Sequence, residues 1–263
     1  YLIKTTGKYY FSFDDKENTY KNFFSKVVQN CAKLAASYNI FGFVHGVLNT
    51  DNININGESF DYGPYRLLEK YEPEKIAAYF DHSGLYKFSK QVDSIFWNVQ
   101  QMASIMTLFM EESLIIEELK KYIYYYNKEV MNLFFKRLCL KPSDINSHNQ
   151  ILLNNFYKIL IDAPFLYEEI YHDLRGGRER INYVTDIKKK YSEYDLDKIF
   201  ENHQAINITD FKSLAKIPLE TLLYEEIEKI WIDIDKNDDW SLFNKKIDSI
   251  NRFKQANINN GLG

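Results

Sequence analysis

Apolar residues recur at helical spacing over most of this chain, and the stretches where that period fails are short. From residue 19 to 38, Phe23, Val27, Cys31, Leu34 and Tyr38 repeat at intervals of three and four, which predicts a helix with one buried stripe. Asn39 suits its C-terminal end. The same spacing predicts helices at 92–110, with Ile95, Val99, Met102, Ile105 and Met106 on one side, at 114–138, and at 152–174 with an interruption near Pro164. After a break at Arg175-Gly176-Gly177-Arg178, further helices are expected at 186–200, 219–234 and 240–253, and residues 257–263 read as a frayed tail. Residues 1–16 are polar, with an aromatic alternation at Tyr9–Phe13 that predicts an edge strand or connector. Residues 64–92, which hold Pro64, Pro73 and Ser83-Gly84, lose the period and read as an irregular segment over an active-site mouth.

Between the first helix and that irregular segment lies a hairpin pattern. Ile53-Asn54-Ile55 alternates, Asn56-Gly57 favours positive φ at both turn positions, and Ser59-Phe60 suits a return strand. The ribbon brings Asp61 back beside Asn52. These are hard oxygen donors of the kind that hold a divalent metal against a triphosphate. Their frame is that of a kinase catalytic loop, in which an Asp follows the His by two residues, an Asn follows it by seven, and a metal-binding Asp comes after. Counting from His45 gives Val47 and Asn52, and then Asp61-Tyr62-Gly63. Valine cannot accept a proton, so Asp51 is the ionisable candidate inside the loop. Phosphoryl-type transfer depends mostly on positioning, and a shifted base is tolerable.

The run Phe41-Gly-Phe-Val-His45-Gly-Val-Leu-Asn-Thr-Asp51-Asn52, the segment Asp61-Tyr-Gly-Pro-Tyr65 and Trp97-Asn98-Val-Gln100 together resemble the selenoprotein O family of protein adenylyltransferases, known in bacteria as YdiU. The likeness is densest over residues 38–105. It implies a mostly α fold: a protein-kinase-like large lobe with a small β-hairpin at the active site and a helical C-terminal extension. The division expected is 1–110 for the core with its catalytic and metal-binding loops and 111–263 for the helical remainder. It further implies ATP bound in a flipped orientation and AMP passed to Ser, Thr or Tyr hydroxyls of proteins. Asp51 would be the base, with Asn52 and Asp61 holding Mg2+ or Mn2+ and Asp61 also serving the cofactor. The family's phosphate-contacting Lys and Arg lie in an N-terminal lobe, so this chain alone is expected to bind ATP poorly and to require that lobe or a partner chain. Two departures are visible. Leu85 stands where the family's S-D-x-x-G-R-Y segment has Arg, and Cys31 and Cys139 are isolated, so redox control through a C-terminal cysteine pair is not supported. The alternatives are a kinase-like phosphotransferase and a pseudoenzyme serving as an interaction module, the latter favoured by Val47.

Composition narrows the partners. With 33 Lys+Arg against 37 Asp+Glu the net charge is −4, which argues against a nucleic-acid binder. No stretch is long and apolar enough for a membrane span, and Tyr1–Tyr10 lacks the apolar core of a secretory signal. The compartment expected is the cytoplasm of a bacterium or the mitochondrion of a eukaryote. The abundance of Tyr and Phe, 21 and 19, fits nucleotide bias in the source genome.

Other motifs weigh less. His45 could be a base or a ligand, but a ring that hydrogen-bonds backbone and supports the loop is favoured. Asn52-x-Asn54-x-Asn56-Gly57 imitates a calcium loop but ends at Gly63 where Glu is required. Asp233-x-Asp235-x-Asn237 fails similarly, and an acidic solvated turn is favoured there. Arg175-Gly-Gly-Arg178-Glu-Arg180 could contact a phosphate, but an interhelical hinge is favoured. Tyr122–Tyr126 reads as core and interface material, and Trp97-Asn98 as packing under the catalytic loop.

Overall fold

The computed structural model describes residues 1–13, 19–206 and 219–259, and these are mostly helical. Helix α1 (Leu2–Phe11) opens the chain where the alternation at Tyr9–Phe13 predicts an edge strand or connector. Ile3, Gly7 and Phe11 form an i, i+4, i+8 stripe, and Gly7 at its centre conceals it by reading as a breaker. Gly7 is buried, with Phe13 and Phe23 each 3.5 Å from where a Cβ would stand, an ordinary packing distance that places this face of α1 on the next helix. Of the 1–16 stretch, residues 14–16 lie outside the described residues, as do 260–263 of the expected tail.

The described residues fall into two compact units, one within 1–66 and 72–133, the other within 67–71 and from 134 onward. In the first, α2 (Thr19–Ile40) buries Phe23, Phe24, Val27, Val28, Cys31, Leu34 and Tyr38, including the whole predicted stripe. Gly42, at φ 63, donates to the Asn39 carbonyl and turns the chain out of the helix. Strand β1 (Phe43–Val44) follows, paired with β2 (Arg66–Leu67). Residues 72–87 form no helix or strand, as their Pro and Gly content predicts, before a single 3-10 turn at Phe88–Lys90.

Helix α3 (Gln91–Met106) lays Ile95, Val99, Ala103 and Met106 against α2. It ends four residues earlier than the spacing predicts, and Ile105 is exposed, its expected core place taken by Ala103. The helix expected at 114–138 is two, α4 (Glu112–Lys120) and α5 (Tyr122–Leu138). At the joint the Lys121 amide donates to Glu118, tightening the turn. The break drops the buried Tyr122 ring onto Phe96, 4.8 Å away, with its hydroxyl donating to the Val92 carbonyl at 3.1 Å.

The second unit pairs β3 (Leu140–Lys141) antiparallel with β4 (Gln204–Ala205), beside α6 (Asn146–Asp162), α7 (Tyr167–Leu174), α8 (Gly177–Tyr183), α9 (Thr185–Lys190) and α10 (Leu196–Ile199). Pro164 separates α6 from α7 as expected, whereas the helix predicted at 186–200 is split between α9 and α10. Its core holds Phe134, Leu138, Phe156, Tyr171, Tyr191 and Phe200. Arg137 joins it by pairing with Glu168 at 2.6 Å and lying 3.6 Å over the Tyr171 ring. Helices α11 (Tyr224–Asn237) and α12 (Ser241–Asn259) bury no residue fully, and Asp238 in the left-handed region caps the first. No described helix is long and apolar enough to cross a membrane.

Candidate active site

The hairpin forms, by a different turn. Ile53 and Ser59 make the antiparallel bridge, Asn54 donates to Glu58 at 3.0 Å, and Gly57 donates to Asn54 at 3.0 Å. Of Asn56 and Gly57 only Gly57 takes positive φ, so the loop is the three-residue type with a left-handed glycine. Asn56 instead uses its side chain, accepting from the Glu58 amide and donating to the Glu58 carboxylate. A Cβ on Gly57 would stand 2.7 Å from the Asn30 carbonyl oxygen, so the loop lies directly on the backbone of α2.

The ribbon returns the chain as far as Phe60, whose amide donates to the Asn52 carbonyl at 3.0 Å. Asp61 is the next residue. It sits at φ 50, a left-handed conformation that costs a non-glycine residue on the order of 1 kcal/mol, and its side chain is exposed. Asn52 is buried, and its Nδ2 donates to the Val47 carbonyl at 2.8 Å, which leaves Oδ1, the oxygen a metal would use, outside that bond. Asp51 is exposed beside it. Amide oxygen and carboxylate suit Mg2+ or Mn2+, and no described group of three or more His, Cys, Asp or Glu competes as a metal centre.

His45 is fully buried, and its Nδ1 accepts from the Val47 amide at 3.3 Å, which places the ring proton on Nε2. Burial pushes its pKa below 6.5, opposed by the nearby Phe60 carbonyl and Asp61 carboxylate. Its ring stacks near Tyr62 and edges Phe43, which stacks on Tyr65 at 5.6 Å. At Gly46, φ 86, a Cβ would meet Ala77, Ala78 and Pro64 within 3.2 Å, so the irregular segment closes onto the loop here.

Two residues of α3 hold the loop from behind. Gln91, buried, accepts from the His45 amide and donates to the Phe43 carbonyl, both at 2.8 Å. Asn98 donates to the Leu48 carbonyl at 2.8 Å, while Trp97 turns outward and is half exposed, contrary to the expectation that both pack beneath the loop. Asp81 organises the 81–86 turn, its carboxylate accepting from the amides of Leu85 and Tyr86 and from Ser83. Burial pushes that carboxyl up, but the donors outweigh it and the net direction is down. Tyr86 donates to Asn49, its own hydroxyl raised by burial and by the charges of Asp81 and Asp51. Gln91 was invisible to periodicity because a polar residue at a helix start reads as surface.

The family model for protein adenylyltransferase SelO matches residues 1–251. The chain belongs to this family. Among SelO relatives, the protein nucleotidyltransferase YdiU of Trichodesmium erythraeum is 31% identical over 252 residues, covering 88% of this chain and 51% of its own. That of Trichormus variabilis is 28% identical, covering 92% and 53%, and that of Synechocystis 29%, covering 87% and 51%. The chain spans about half the length of the curated relatives it matches.

Proposed function

We propose that this chain carries the metal-binding and base positions of a protein adenylyltransferase built on a kinase-like large lobe. The supporting observation is the hydrogen bond from the Phe60 amide to the Asn52 carbonyl, which sets Asp61 next to the residue paired with Asn52. Asn52 Oδ1 and the Asp61 carboxylate would hold Mg2+ or Mn2+ on the triphosphate, where the metal neutralises charge on the phosphate oxygens. Asp51, exposed beside Asn52, takes the proton of an incoming Ser, Thr or Tyr hydroxyl as its oxygen bonds the α-phosphorus of ATP. The bond to the β-phosphate oxygen breaks and pyrophosphate leaves. Exposure of Asp51 suits an acceptor on another protein. A lobe or partner chain with cationic phosphate contacts completes nucleotide binding. Neither nucleic acid nor membrane is a partner in this reading.

Mass spectrometry of an acceptor protein after incubation with the intact protein, ATP and Mg2+ tests this. An AMP-sized increment is expected, lost in Asp61→Ala and reduced about 10²–10⁴-fold in Asp51→Asn. A phosphate-sized increment replaces the reading with phosphotransfer. No transfer, together with nucleotide binding unaffected by Asp61→Ala, replaces it with a pseudoenzyme.

A further inference from the structure

The Arg175-Gly-Gly-Arg178-Glu-Arg180 segment is a packed turn in the second unit, not the hinge its glycines suggest. Gly176 and Gly177 take φ 88 and 55, and a Cβ on Gly177 would stand 3.0 Å from Leu140 and 3.2 Å from Phe200. Two of the three arginines turn inward. Arg178 stays at the surface. Arg180 is only 2% exposed, and its Nε and Nη1 are buried with no hydrogen-bond partner among the described residues. Arg175 is partly buried, with Nε and Nη2 in the same condition, and its Nη1 donates to Asn257 at 3.0 Å.

The groups facing Arg180 do not neutralise the pair. Among the described residues they are Arg175, the Cys139 thiol and the Asp173 carboxylate, and Arg175 in turn faces Arg137. Burial raises the Cys139 thiol above its usual range, so it is uncharged at neutral pH. Asp173 already accepts from Lys190 and, at 3.1 Å, from the Tyr191 hydroxyl. Burial, and after it the Arg175 charge, bring Arg180 down to about 10, so it stays protonated at neutral pH. Two adjacent cations with four buried, unsatisfied nitrogens are strongly unfavourable unless an anion joins them.

We propose that Arg175 and Arg180 bind a phosphate-type oxyanion. Planar guanidinium forks match the oxygens of a tetrahedral anion in paired hydrogen bonds, which a single chloride cannot reproduce. The ligand is inorganic phosphate or the phosphate of a small phosphomonoester, and this site is separate in residues from Asp51, Asn52 and Asp61.

The test is thermal unfolding of the intact protein in EDTA, with chloride, inorganic phosphate or glycerol phosphate at matched ionic strength. Phosphate is expected to raise the midpoint above chloride in the parent and equally in Asp61→Ala, which excludes the candidate active site as the source. In Arg175→Gln and Arg180→Gln the phosphate concentration needed should rise about tenfold or more. A matching rise in glycerol phosphate assigns the ligand to phosphomonoesters, and a rise in inorganic phosphate alone assigns it to the free ion. Should Arg180→Gln not fold, the partly buried Arg175 carries the comparison. Equal midpoints in phosphate and chloride, or unchanged phosphate affinity in Arg175→Gln, overturn the proposal.

Discussion

Gln91 and His45 show how single side chains set the loop. One amide group satisfies both the part-buried Phe43 carbonyl and the buried His45 amide, and leaving the latter unpaired would cost about 1–3 kcal/mol. His45, wholly enclosed, has a folded-state pKa below 6.5, with burial as the main cause. Its neutral form is therefore favoured by folding. That contribution is fully present above the unfolded value and is lost as pH falls below 6.5 towards the folded pKa. His203 in the second unit shifts in the same direction, so the parent must be compared with a variant. Urea unfolding at a series of pH values should show a steeper acid loss in the parent than in His45→Gln; identical slopes would mean that the ring titrates alike folded and unfolded. Spacing alone picks out His45, Asn52 and Asp61 as the positions on which the proposed site rests. Gln91 was not, because its importance lies in which backbone groups end at its amide, a matter no local pattern encodes.

Among elements, the hairpin was legible in existence and not in turn type. Asn56-Gly57 announces a turn, but the two-residue form needs both residues left-handed, and Asn56 instead bonds Glu58 through its side chain. Contact with α2 fixes the rest. Gly57 combines φ 80 with a carbonyl oxygen 2.7 Å from its missing Cβ, whereas Gly63, at φ 45, has open space around it. Gly57→Ala should cost about 2–4 kcal/mol by strain and displacement, and Gly63→Ala only about 1 kcal/mol. Chemical denaturation of both variants checks the order, and equal losses would remove the α2 contact as its cause. The misreading of α1 has a tertiary origin too: Gly7, which local preference treats as a breaker, is buried on the face of α1 that meets Phe23. The split of α4 from α5 follows from Tyr122 seeking Phe96, a tertiary demand on a segment whose local pattern is continuous.

In the whole molecule each unit carries its own core, around Phe24 in the first and Phe156 in the second, both fully buried. Phe24→Ala and Phe156→Ala should each cost about 3–5 kcal/mol. Hydrogen exchange should quicken mainly within the unit that bears the change, and exchange spreading evenly over both would contradict separate cores. Near balance of charge, −4 from 33 cationic and 37 anionic residues, sets no unit up as a polyanion receptor, so any anion must be met by a few placed groups such as Arg175 and Arg180. The sequence by itself determined the helical character, the α2 stripe, the hairpin and the order of oxygen donors along the loop, since each depends on neighbours within a few turns of chain. Only tertiary structure decided that Gln91 and Asn98 grip that loop, that Trp97 faces outward, and that Arg175 and Arg180 turn inward while Arg178 does not. Those outcomes depend on which distant backbone a side chain meets, and burial makes that meeting energetically decisive.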